Sequence, residues 1–226
     1  MKTFFETINS AVGKKLQMSL TGFFLCSFLV VHLMGNLLLF SGPDAFTAYS
    51  NFMKTNGVVR VLEIGLALGF LIHIYNGIYL WIMNRSARPK GYAVYRYKDT
   101  AEAASRIMYI SATITLIYLI GHLMHYTVPA RITGLETTLY DLVVTSFQDP
   151  LITILYLSAF VLLGYHLKHG FMSALQTLGL KNKKVEGFLK VIAAIFWLLV
   201  PLAYASIPIY FFVWGNPSLL SFLGGN

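Results

Sequence analysis

The stretch FVLLGYHLKHGFMSALQTLG, Phe160–Gly179, sets a histidine deep inside an apolar run. His166 stands among leucines. His169 follows about one helical turn later, then Gly170 and a more polar tail. An imidazole in hydrocarbon is costly unless something binds it. Three other apolar stretches repeat the arrangement: VVHLMGNLLLF with His32, GFLIHIYNGIY with His73, and LIGHLMHYTV with His122 and then His125. One buried histidine in a bundle is commonly a polar residue hydrogen-bonded to its neighbour. One on each of four segments, in two depth-matched pairs, points to a bound group.

Composition gives the class. The chain has 226 residues, 57% hydrophobic and 12% charged, with mean hydropathy +0.66. A soluble domain carries about 25% charged residues. Cys26 is the single cysteine, so no intrachain disulfide forms, and one thiol makes no metal or cluster site. It reads as a small core residue. The opening MKTFFETINSAVGKK lacks the features of a cleavable signal, because the apolar run after it is too long and no small-residue cleavage site closes it. It reads as a short amphipathic lead on the membrane surface.

Five segments are long and apolar enough to span, at about 20 residues each. They are Leu16–Phe40, Val61–Met83, Ile107–Ala130, Pro150–Leu167 and Val191–Trp214. SGPD ends the first by turn chemistry. A short helix is expected in AFTAYSNFMKTNG of the first connector. Pro150 suits the first turn of the fourth helix, which is expected to run on to about residue 178. The fifth holds Pro201 and Pro208, which membrane helices tolerate. The expected fold is an all-α membrane protein: a four-helix bundle carrying the histidines plus a fifth helix, with residues 1–226 forming one domain.

The net charge of +8 is distributed unevenly. Of the 17 Lys and Arg, only Lys54, Arg60 and Arg131 fall on one side; the N-terminal lead, the loop Arg85–Arg106 and Lys168–Lys190 hold the rest. The positive-inside rule then puts the N-terminus inside and the C-terminus outside. Orientation accounts for the basic pI without nucleic acid.

Helical rise gives the depths. His32 and His122 lie about 13 and 9 Å from the outer edge, and His73 and His166 about 20 and 24 Å from it. The two pairs differ by about 10 Å along the normal, enough to seat one macrocycle above another. Haem iron with two imidazoles requires two histidines at one depth on different helices. Gly65, Gly69, His73 and Gly77 recur every four residues on one face, which suits either a flat cofactor or close helix packing.

LTGFFLCSFLVVHLMGN, LEIGLALGFLIHIYNGIY, SATITLIYLIGHLMH and GYHLKHGFMSALQTLG together resemble the cytochrome b membrane anchor of succinate dehydrogenases and fumarate reductases, of the single-subunit, five-helix, di-haem type. The resemblance implies two haem b groups. His32 and His122 would be axial iron ligands of the outer one, and His73 and His166 of the inner. It implies a flavoprotein (FAD) and an iron–sulfur subunit on the inner face, a membrane quinone, with menaquinone favoured over ubiquinone, and a bacterial cytoplasmic membrane. The chain would pass electrons in a respiratory chain as part of a succinate:quinone oxidoreductase. It carries no flavin or iron–sulfur motif, so no succinate chemistry is expected on it.

His125 and His169 are alternative ligands three residues further on. The resemblance favours His122 and His166, leaving His125 and His169 for propionate or quinone contacts. Ser19 and Arg106, at the inner ends of the first and third spans, are further propionate candidates. Glu63 is the only acidic residue in any span and is a candidate for proton exchange with quinone, or a partner of Arg60. Some menaquinol-oxidising relatives carry a glutamate, tied to proton movement, two residues before the fourth-helix ligand. Gly164 stands there instead. Two other readings fit a histidine-rich bundle: the haem b anchor of a hydrogenase or formate dehydrogenase, and a histidine-lined metal-ion transporter. The second calls for carboxylates or broken helices at the midplane, and no Asp or Glu lies centrally in any span.

Overall fold

The computed structural model describes residues 4–86 and 107–215. A short helix, α1 (Phe4–Asn9), leads to Ser10, whose hydroxyl accepts from the Gly13 amide at 3.1 Å and caps α2 (Ala11–Leu37). Lys14 and Lys15 therefore sit inside the first long helix rather than on a lead before it. Lys14 is buried with its ammonium 4.9 Å from the Tyr75 ring, a cation–π contact that makes burial tolerable. A 3-10 turn, Leu38–Ser41, ends the helix at Gly42, where φ is +97°. Pro43 opens α3 (Pro43–Thr55), the expected connector helix, and α4 (Gly57–Ser86) follows.

Helix α5 (Met108–His122) widens directly after His122 into two π turns, Leu123–Thr127 and Pro129–Thr133. Pro129 has no N–H to give to the preceding turn, and the helix loosens there. Gly134, with φ +88°, ends it. The second connector contains a helix not expected from the sequence, α6 (Leu139–Gln148). Thr138 and Asp141 form its capping box, a signal present as T-x-x-D. Asp149 caps α7 (Pro150–Thr177), accepting from the Leu151 amide at 2.7 Å. The last long helix comprises α8 (Glu186–Ala194), a π turn at Ile195–Leu199, and α9 (Val200–Trp214).

Among the described residues, five helices are long and apolar enough to cross a membrane: Ala11–Ser41, Gly57–Ser86, Met108–Thr133, Pro150–Thr177 and Glu186–Trp214. No strand occurs among the described residues, and the protein is an all-α membrane protein. Each span runs somewhat past its charge-free stretch, because helix continues until a cap, a glycine or a proline stops it.

Packing is organised by α2 and α7. They lie against each other; α4 packs on α2, α5 on α7, and α9 on both α7 and α2. Among the described residues no comparable packing joins α2 to α5, α4 to α7, or α4 to α5. The connectors α3 and α6 meet over one end of the bundle, where Phe46, Val143 and Phe147 join Leu39, Tyr126 and Phe211 in one apolar cluster. A second cluster, with Cys26, Leu167, Phe171 and Ala193, fills the opposite half. The face of α4 away from α2 shows Val61, Ile64, Leu68 and Leu71, a surface suited to lipid rather than water.

One close approach is diagnostic. A Cβ at Gly164 would stand 2.8 Å from the Trp197 carbonyl oxygen. Pro201 lacks the N–H that this carbonyl would accept in an α-helix, so the oxygen turns toward α7 where only a hydrogen stands.

Candidate functional site: two facing histidine pairs

The four central histidines meet ring to ring in two pairs. His32 on α2 faces His122 on α5, with ring centroids 5.9 Å apart and planes at 89°. His73 on α4 faces His166 on α7, with centroids 6.3 Å apart and planes at 67°. These are the pairs expected from depth. In each case the two helices concerned do not pack closely, so the rings reach across space that backbone does not fill.

The two levels are located by neighbours. The His73 Nδ1 lies 3.2 Å from Thr21 Oγ1, eleven residues along α2 from His32. The His122 Nδ1 lies 3.3 Å from the Tyr156 hydroxyl, ten residues along α7 from His166. Ten or eleven helical residues span about 15 Å, more than the about 10 Å counted from segment ends. The discrepancy arises because helices begin and end at caps rather than at the last apolar residue.

Each pair has its own setting. His32 stacks on Phe28 at 5.2 Å and has Tyr204 at 6.1 Å. His122 stacks on Tyr118 at 5.8 Å, with Tyr126 at 5.4 Å. Tyr118 and Tyr126 stand four residues before and after His122, on the same helix face, so this aromatic cage is written locally in the sequence. The His73 Cε1 lies against Gly22, where an added Cβ would be 3.5 Å away. The Nδ1 of His166 is buried without a hydrogen-bond partner.

Two imidazoles on one iron place ring centroids about 6.4 Å apart, from metal–nitrogen bonds of about 2 Å. Both observed separations are close to this value. The unpartnered Nδ1 of His166 shows in addition that the inner pair is not a self-sufficient hydrogen-bonded couple. The residues present therefore fit a metal held between two imidazoles. Among the described residues no three His, Cys, Asp or Glu side chains gather as a metal-ion site.

The remaining candidates fall elsewhere. His125 Nε2 pairs with Ser146 Oγ at 2.8 Å, tying the π turn to α6, and does not join the facing rings. His169 lies half-buried on α7 beyond His166. Ser19 is buried, and its hydroxyl donates to the Lys15 carbonyl at 3.0 Å. Arg106 lies outside the described residues. Glu63 is bridged by both Arg60 and Arg131, and Arg131 also donates to the Met53 carbonyl at 3.3 Å. The pairing with Arg60 is legible from spacing; the one with Arg131 links α4 to the end of α5, 68 residues on. Thr21, Tyr156 and the fully buried Asn76, whose Nδ2 donates to Gln17 Oε1 at 3.1 Å, are not singled out by sequence.

The glycines of α4 divide. Gly69 packs on Phe24, where a Cβ would be 2.9 Å from the ring, and Gly77 on Met18 at 3.3 Å; Gly65 faces open space. The stripe thus serves chiefly the α2–α4 contact.

Residues 16–98 match the sequence model of a family described as succinate dehydrogenase/fumarate reductase transmembrane subunit. The chain is similar to that family over this stretch, which is well under half of its length. The matched region takes in α2 and α4, hence one histidine of each pair. No curated protein and no solved structure matches the chain. The five apolar helices make the chain a multi-pass membrane protein. Gly164 is turned toward the last helix.

Proposed function

We propose that the chain is a di-haem cytochrome b that anchors a succinate dehydrogenase/fumarate reductase head and passes electrons between its iron–sulfur subunit and quinone. The observation that carries this reading is the ring-to-ring meeting of His32 with His122 and of His73 with His166, on helices held apart. Haem b, when bound, supplies one-electron carriage at each level. The protein's part is to hold the imidazoles, exclude water and fix the spacing. The basic face formed by the N-terminus, the loop Arg85–Arg106 and Lys168–Lys190 is the cytoplasmic one in this reading, facing the iron–sulfur and FAD subunits of a bacterial inner membrane. Arg106 and His169 are proposed as propionate contacts at the inner end, and Ser19 as one that would give up its bond to the Lys15 carbonyl to join them. His125, whose Nε2 is engaged by Ser146, is proposed as an outer propionate or quinone contact through its other nitrogen, with menaquinone favoured.

Glu63 is proposed to exchange protons with quinone near the outer pair. Its carboxylate is also a clamp, joining Arg60 and Arg131 where α4 and α5 do not pack. One experiment addresses both the function and this residue. In the assembled complex, succinate should reduce both haems and then quinone. Glu63→Gln should keep both haems and the succinate-to-dye activity of the head, and lower quinone turnover about tenfold or more. Unchanged quinone turnover would leave Glu63 as a clamp alone. Haems that stay oxidised with succinate and accept no electrons from quinol would contradict the proposed function.

A further inference from the structure

The two histidine pairs share an asymmetry that the electron-transfer reading does not use. In each pair one imidazole has a hydroxyl on its Nδ1: Thr21 at 3.2 Å from His73, and Tyr156 at 3.3 Å from His122. The opposite rings are held otherwise. His32 stacks on Phe28, and the His166 Nδ1 is buried without a partner. We propose that Thr21 and Tyr156 are positioning residues that fix the Nδ1–H tautomer of His73 and His122, and thereby set separately the electron affinity of the two haems. The inference rests on the two-haem reading.

At the inner pair the direction of the hydrogen bond is determined by the hydroxyl. The Thr21 O–H is committed to its own helix, donating to the Gln17 carbonyl at 2.8 Å. What it offers His73 is an oxygen lone pair, so the His73 Nδ1 must be the donor. With the proton on Nδ1, Nε2 carries the free lone pair. Gly22, the next residue on α2, lets the ring press onto the helix at this level. At the outer pair the Tyr156 phenol reaches from α7 to His122 on α5, and Tyr118 stacks on the same ring. A phenol can donate or accept, and accepting is the role that would leave the His122 Nε2 for a metal.

A hydrogen bond from the outer nitrogen of a ligating imidazole orients the ring and raises its basicity. A more basic ligand favours the oxidised metal and lowers its potential. Each hydroxyl therefore acts on one haem alone, and removing it should raise that haem's midpoint potential.

The test is an optical redox titration of the purified haem-loaded chain with three variants: Tyr156→Phe, Thr21→Val and Thr21→Ser. The outer haem is identified as the one lost in His32→Ala. Tyr156→Phe should raise the outer potential and leave the inner one in place. Thr21→Val should raise the inner alone, and Thr21→Ser should restore it. Two bound haems with neither potential moved by either variant, or both potentials moving together in each, would overturn the inference while leaving the two-haem reading intact. A Thr21→Ser chain whose inner potential matches that of Thr21→Val would overturn it too. Fewer than two haems in the parent chain would overturn the two-haem reading and the inference with it. The two sites are independent, so a variant that loses its haem leaves the other site to decide.

Discussion

His166→Ala should remove one haem and leave the other. His166 faces only one of the three other central histidines ring to ring, His73 at 6.3 Å, and its Nδ1 has no partner that a self-contained protein would supply. His73→Ala should remove the same haem. His32→Ala or His122→Ala should remove the second, since those two rings meet at 5.9 Å. His125→Ala should keep both haems, because its Nε2 is engaged by Ser146 on α6 and the ring lies outside the facing pair. His169→Ala should also keep both. A pyridine haemochrome assay on each purified variant reads the result. Two haems after His166→Ala, with one after His169→Ala, would reassign the ligand.

The second large effect should come from a residue that touches no cofactor. Gly164→Ala places a methyl group where the Trp197 carbonyl oxygen already stands, at 2.8 Å from the built Cβ. The obstacle is backbone, so no side-chain rotation relieves it. The carbonyl cannot retreat into its own helix, because Pro201 leaves it without the N–H it would accept from. Overpacking of this kind costs about 1–3 kcal/mol, and more for Gly164→Val. In a chain of this length that corresponds to about 2–4 °C in Tm per kcal/mol. Gly170→Ala is the control, since a Cβ there meets nothing within 4 Å. Equal melting temperatures for Gly164→Ala and Gly170→Ala would show that α7 and the last helix are not held at this point. The same geometry bears on the relatives' glutamate. A longer side chain at 164 fits only if the last helix moves away.

Much of this architecture is legible without coordinates, for identifiable reasons. Apolar runs of membrane length, charge-free except for Glu63, mark the five spans, and Pro150 marks a helix start because its missing N–H does no harm there. The histidine pairs are legible because a helix rises uniformly, so depth can be counted. What depth cannot supply is lateral geometry. The meeting of Thr21 with His73 and of Tyr156 with His122 depends on which helices adjoin, and so does the Glu63–Arg131 bridge. Helix α6 is too short for a long apolar period to reveal, although its Thr138–Asp141 capping box is present in the sequence. The π turns after His122 and before Val200 accompany prolines whose presence foretells a disturbance but not its form. The glycines of α4 are equally consistent, as sequence, with a macrocycle or a helix, and contact with Phe24 and Met18 decides chiefly for the helix.

The proposal that four histidines on four spans hold two haems at two levels is tested most directly by counting haem. Haem is extracted from the purified chain as its pyridine haemochrome and measured against protein. Two b-type haems per chain are expected, falling to one in His166→Ala. A parent chain holding one haem or none, or keeping two in His166→Ala, would contradict the proposal.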